Sequence, residues 1–156
     1  MKQIICVSHG KICRPLDTLT IKEAYKIKRL GEVIKEKYGG NFHIASSSAQ
    51  KAMQTASILR NSIDNSLVVE ETSALYCEEN HFTPEKISRL YNLYNSQRER
   101  VDNLVFVGSS SIKDILGQLN MLESVEGEPL KNLSSMSALV LNLEDRTTDT
   151  ISSNKR

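Results

Sequence analysis

The sequence predicts an α/β fold, a three-layer sandwich in which helices cover both faces of a mainly parallel central sheet. Three observations lead there. Short, nearly continuous apolar runs recur at residues 4–7, 42–45, 67–69, 104–107 and 138–143. Stretches with apolar residues at helical spacing alternate with them, the pattern of strand–helix–strand units. Several of the runs end in small polar residues, and a parallel sheet collects such ends at one edge.

Gln3-Ile4-Ile5-Cys6-Val7 suits a central strand buried on both faces, ending at Ser8-His9-Gly10. A polar loop with Lys11, Arg14 and Pro15 follows. Thr20 opens a helix through a capping box, since Glu23 three residues on can bond back to the cap amide. Ile21, Ala24, Tyr25, Ile27, Ile34 and Tyr38, with Leu30 among them, supply its apolar side. Gly39-Gly40 stops it, because glycine enters the left-handed region without penalty.

Residues 42–45 form a second strand opening onto Ser46-Ser47-Ser48. The next helix has Ala49, Ala52, Met53, Ala56 and Leu59 or nearby Ile58 on its inner side, so small that it packs close to the sheet. A short third strand covers 67–70. Thr83-Pro84 starts another helix, with proline at the position where its missing N–H costs nothing, and Ile87, Leu90, Tyr91 and Tyr94 as its apolar face. A fourth strand over 104–107 ends in Gly108-Ser109-Ser110-Ser111. Ser111 and Asp114 cap a helix with the face Ile112, Ile115, Leu116, Leu119 and Leu122, and 138–143 is the last strand. No repeat or linker interrupts this order, so one domain is expected over 1–144, followed by a polar, flexible tail over 145–156.

A chain of 156 residues, 39% apolar and 25% charged, can bury a full core without metal or disulfide staples. A net charge of +1 gives no support to nucleic-acid binding. No apolar run approaches membrane-spanning length, and strand-like sequence begins at once. Cys6, Cys13 and Cys77 lack CxxC spacing and read as reduced thiols, so a cytoplasmic setting is expected. No P-loop, GxGxxG or metal-ligand spacing is present, and neither cofactor nor metal is expected. No cysteine has an arginine six residues on, as a phosphate-cradling cysteine loop needs.

His9, Ser46 to Ser48 and Ser109 to Ser111 all fall at the carboxyl edge of the sheet. An imidazole there can attack phosphorus, forming a phosphohistidine, provided cations and N–H donors receive the charge of the transferring group. Both serine clusters precede helices, whose N-termini supply part of that field. On spacing alone a second reading stands equally: His9 as a hydrogen-bonded loop residue and the serines as caps. His43, inside a strand, reads as structural.

Particular motifs resemble the histidine phosphatase (phosphoglycerate-mutase-like) superfamily. Val7-Ser8-His9-Gly10 is similar to its first-strand motif, which ends Arg-His-Gly. Leu19-Thr20 and the helix through Leu30-Gly31 resemble its Leu-Thr-x-x-Gly stretch, with Glu23 in place of the glycine. The segment Ser47-Ser48-Ala49-Gln50-Lys51-Ala52-Met53-Gln54-Thr55-Ala56 is similar to Ser-x-x-x-Arg-Ala-x-Gln-Thr-Ala, the most specific match. Residues 105–109 look like the strand that normally ends Gly-His. The match runs in order over most of the chain, and its shortness resembles the small phosphohistidine phosphatases of that superfamily.

The resemblance implies a phosphoglycerate-mutase-like sheet and a pocket of two histidines and two arginines. His9 matches the nucleophile, but Ser8 stands for the first arginine, Lys51 for the second and Ser109 for the second histidine. Lysine keeps charge without the bidentate fork, Ser8 removes a charge, and Ser109 donates a hydrogen bond but cannot be a cation. Losing one preorganised donor costs roughly 2.7–4 kcal/mol of transition-state stabilisation, and three altered positions less than the sum. The expected function is therefore a pseudophosphatase with weak or no phosphoryl transfer that binds phosphate, a phosphorylated ligand or a phosphoprotein through Ser8, Lys11, Arg14, Ser47, Lys51, Ser109 and Ser110. The alternative is an active phosphohistidine or phosphomonoester phosphatase with His9 as nucleophile and Lys11 and Arg14 as replacement cations. Glu78, near Glu79 and His81, is a weak candidate for the acid that protonates the leaving group.

Overall fold

The computed structural model describes residues 1–9, 19–76, 82–109, 112, 114–119 and 136–153. Its elements run β1 (Gln3–Ser8), α1 (Ile21–Tyr38), β2 (Phe42–Ser46), α2 (Gln50–Ile63), β3 (Val69–Glu71), a 3-10 turn (Ser73–Leu75), α3 (Pro84–Gln97), β4 (Asn103–Gly108), α4 (Asp114–Gln118), β5 (Ser137–Asn142) and β6 (Thr147–Ser152). The strands make one sheet in the order β3-β2-β4-β1-β5-β6.

The two faces of β1 show why three layers form. Ile5 and Val7 pack with Ile27, Leu30 and Ile34 of α1 and Ala52, Ala56 and Leu59 of α2. Ile4 and Cys6 point to the other face, with Leu90 of α3 and Ile115 and Leu116 of α4. A period of two along a strand with apolar residues on both sides requires a cover on each face. The three-layer α/β expectation is met.

The sheet is mixed rather than uniformly parallel. β3, β2, β4 and β1 are parallel neighbours, whereas β5 pairs antiparallel with β1 and with β6. Chain beyond residue 144, expected as a polar tail, carries β6. The β-branched run Thr147-Thr148-Asp149-Thr150-Ile151 suits a pleated surface, and a tight turn makes the pairing antiparallel. Asp145 accepts from the Thr147 amide at 3.1 Å in that turn, and Arg146 takes a φ of 57°. Ile151 is 3% exposed in the α1/α2 core.

α1 begins as its capping box predicts: Thr20 Oγ1 accepts from the Glu23 amide at 3.2 Å, and Glu23 Oε2 accepts from the Thr20 amide at 3.0 Å. Its buried stripe is Ile27, Leu30, Gly31 and Ile34. Ile21 and Tyr25, expected on that side, are 92% and 69% exposed. At 100° per residue they fall more than a quarter-turn from Ile27, whereas Glu23, one turn before Ile27, lies on the inner stripe. Tyr91 of α3 likewise faces outward while Leu90 is buried.

Helices α1 and α2 lie against one another in the same direction, since Glu23 meets Lys51 and Gly31 meets Leu59 and Ser62 further along both. A Cβ on Gly31 would stand 2.6 Å from Ser62 Cβ, so glycine permits the close approach. Two parallel strand–helix units therefore bring the first turns of both helices to the carboxyl edge of the sheet.

Candidate phosphate site

Parallel register places the polar strand ends side by side. Ser8 of β1 pairs with Gly108 of β4, and Val107 of β4 pairs with Ser46 of β2. The ladder extends one residue on each side: the His9 amide donates to the Gly108 carbonyl and the Ser47 amide to the Val107 carbonyl, both at 2.9 Å. His9, Ser47 and Ser109 thus leave three adjacent strands at one edge. His9 and Ser109 are partly exposed.

Ser8 is buried, and its hydroxyl donates to the His9 carbonyl at 3.1 Å. The carbonyl of Ser8 accepts from the Met136 amide at 2.9 Å, tying the start of β5 to the same corner. An added Cβ on Gly108 would be 2.9 Å from Ile112 Cδ1, the end of a side chain that can shift.

Beyond β2, the Ser46 hydroxyl donates to the Ser47 carbonyl at 2.9 Å, and Ser47 Oγ accepts from the Ala49 amide at 3.2 Å. These bonds shape the turn into α2, whose N-cap Ala49 supplies no side-chain bond. Ser48, the third serine of the cluster, is exposed. Lys51 follows in the first turn of α2, 3% exposed, with Nζ 3.8 Å from Glu23 Oε1. Two forces oppose a lysine there: loss of water around its charge, and the positive end of the helix dipole. The Glu23 carboxylate offsets both. A second tie joins the same parts, the Leu19 amide donating to Gln54 Oε1 at 3.0 Å.

Of the residues singled out from sequence, Ser8, His9, Ser47, Lys51 and Ser109 come to this edge. Lys11, Arg14, Glu78 and Ser110 lie outside the described residues, as do Cys13, Cys77, Glu79, His81 and Ser111. His43 is elsewhere, its Nε2 2.6 Å from Glu70 Oε2. Cys6 sits in the core, where burial pushes its thiol up to about 12, so it stays protonated and is no nucleophile at neutral pH. Gln54 and the contact of Glu23 with Lys51 were missed from sequence, although counting four residues back from Ile27 puts Glu23 on the inner stripe.

Among the described residues, no group of three or more His, Cys, Asp or Glu is placed to hold a metal ion, and no helix is long and apolar enough to cross a membrane. A cavity of about 710 Å³ lined by Lys35, Gly40, Asp64 and Arg100 lies at the opposite, amino-terminal edge of the sheet.

No family model and no curated protein matches the chain. Solved structures do. The protein histidine phosphatase SixA, in a complex with tungstate, aligns at a TM-score of 0.68 and 16% identity over 97% of each chain. A mycobacterial glucosyl-3-phosphoglycerate phosphatase, in complex with inorganic phosphate, aligns at 0.67 and 16% over all of both chains. The alpha-ribazole phosphatase of Shigella flexneri aligns at 0.64 and 13%, over 98% of this chain and 96% of its own. The chain has the three-layer fold of the histidine phosphatases.

Proposed function

We propose that the edge formed by His9, Ser47, Lys51 and Ser109 is the phosphate-binding pocket of a pseudophosphatase, which takes up phosphate or a phosphorylated ligand, such as a phosphoprotein, in the cytoplasm with weak or no turnover. The observation that carries this reading is the buried Lys51 in the first turn of α2, beside the strand ends that carry His9 and Ser109. A buried cation at such an edge favours an anion, and the phosphatase fold makes a phosphoryl group the natural one. Turnover is a separate matter. Where the family resemblance expects an arginine, the Ser8 hydroxyl turns to the His9 carbonyl. Lys51 is a single point charge already facing a carboxylate. Neither the Ser8 hydroxyl nor a lysine so engaged matches an arginine fork in receiving the charge that builds on the equatorial oxygens during transfer.

The position of His9 favours a second reading, an active phosphatase. The partly exposed imidazole would attack phosphorus, forming an N–P bond as the bond to the leaving group breaks. The leaving group would take a proton from an acid such as Glu78, and water would then cleave the phosphohistidine. Lys11 and Arg14 would replace the missing cations.

One experiment separates the two: hydrolysis of phosphohistidine and of an aryl phosphate by wild type and His9→Ala, with phosphate and tungstate binding measured by calorimetry on the same samples. Binding without turnover is the expected result. Turnover abolished in His9→Ala establishes the active reading, and absence of both binding and turnover removes the pocket.

A further inference from the structure

Glu23 stands where the resembling motif carries glycine, and the substitution has a structural consequence. A glycine leaves the start of α1 without a side chain. Glu23 instead reaches two ways from the inner stripe of the helix. Its Oε2 accepts from the Thr20 amide at 3.0 Å, and its Oε1 lies 3.8 Å from Lys51 Nζ. The carboxylate is itself largely buried, with its side chain 18% exposed. It is therefore held by the capping box at a fixed point beside the cation.

We infer that Glu23 is a built-in competitor for the anion site: its carboxylate stands against Lys51, and an incoming phosphoryl group must share that lysine with it and meet its like charge. The inference rests on the phosphate-binding reading of this edge and adds what limits it. A carboxylate and a phosphate oxygen make the same kind of charge-assisted contact with an ammonium group. With the carboxylate in place, a phosphoryl group approaching Lys51 meets a neutralised cation and a like charge beside it. The separation of 3.8 Å is that of an ion pair rather than a hydrogen bond, so the two groups are in electrostatic contact without a directional bond locking them.

The competition has a clean perturbation. In Glu23→Gln the amide oxygen can still accept from the Thr20 amide, since glutamine serves at this position of a capping box, while the charge facing Lys51 is gone. Binding of inorganic phosphate and of tungstate is measured by calorimetry at neutral pH for wild type, Glu23→Gln, Glu23→Ala and the double variant Glu23→Gln/Lys51→Met, with circular dichroism to establish folding. Glu23→Gln is expected to bind at least about tenfold more tightly than wild type, with the gain lost in the double variant. Glu23→Ala should show the same gain if the glutamine variant fails to fold. Equal affinity in folded wild type and charge-free variants overturns the competition while leaving the phosphate site standing. Absence of binding in every folded variant overturns both.

Discussion

The contact between Gly31 and Ser62 sets the spacing of the two helices that deliver Glu23 and Lys51, and its strength can be tested by one methyl group. The Cβ of Gly31→Ala would stand 2.6 Å from Ser62 Cβ and 3.5 Å from Leu59 Cδ2. Carbon atoms normally meet at about 3.5–4.0 Å, so α1 and α2 must separate by roughly 1 Å or shift laterally. Overpacking of this kind costs about 1–3 kcal/mol, against which alanine recovers up to about 1 kcal/mol of helix propensity. The net expectation is a loss of up to about 2 kcal/mol, a fall in Tm of up to roughly 8 °C for a chain of this size. The assay is urea denaturation of wild type, Gly31→Ala, Ser62→Gly and the double variant. Ser62→Gly removes the atom that is struck, so the cycle should show coupling of about 1 kcal/mol or more in favour of the pair. An unobstructed glycine-to-alanine change in a helix would raise stability instead. A stabilised single variant, or a cycle without coupling, would refute the close approach and with it the account of how the first turns of α1 and α2 are held together.

Two further outcomes follow from the core. Ile151→Ala should destabilise by about 2–3 kcal/mol in urea, the low end for a buried isoleucine because β6 is an edge strand; a change within about 0.5 kcal/mol would mean that this segment is not part of the fold. Cys6 keeps its proton in the folded chain up to about pH 12, whereas the unfolded thiol titrates near 9.0. Above pH 9 the unfolded state thus holds fewer protons, and stability falls as pH rises. Between pH 8 and 10 wild type should lose about 1 kcal/mol more than Cys6→Ala, read as the difference in their pH slopes in urea; identical slopes would contradict the burial of that thiol.

What could be read from the sequence divides along physical lines. Strands β1, β2 and β4 are legible because each is an apolar run long enough to be buried on both faces and each ends in a glycine or serine cluster. The starts of α1 and α3 are legible because Thr20 with Glu23, and Thr83 with Pro84, are local signals that need no tertiary context. β6 was not, since Thr147-Thr148-Asp149-Thr150 is polar and its one buried side chain, Ile151, reveals itself only once β5 lies alongside. The antiparallel setting of β5 was hidden for a similar reason: a run buried on both faces looks the same whichever way it points. In α1 the error had another source. Ile21 and Tyr25 are apolar, but hydrophobicity alone does not fix a helical face; the angle from Ile27 does.

The angle around α1 also decides what Glu23 meets. Read as a member of the capping box, Glu23 is a local feature of one helix, and read as a departure from a glycine-bearing motif it is merely an altered position. Its second role exists only because two parallel strand–helix units start at the same sheet edge, so that inner-stripe residues in the first turns of α1 and α2 come face to face. A carboxylate at that place on α1 and an ammonium group at that place on α2 must then interact, whatever else the pocket does. Arginine at position 51 would offer a fork able to hold a carboxylate and a phosphoryl oxygen together. Lysine has three donors but no such planar fork, so on the reading proposed above Glu23 and a phosphoryl group would share one point charge.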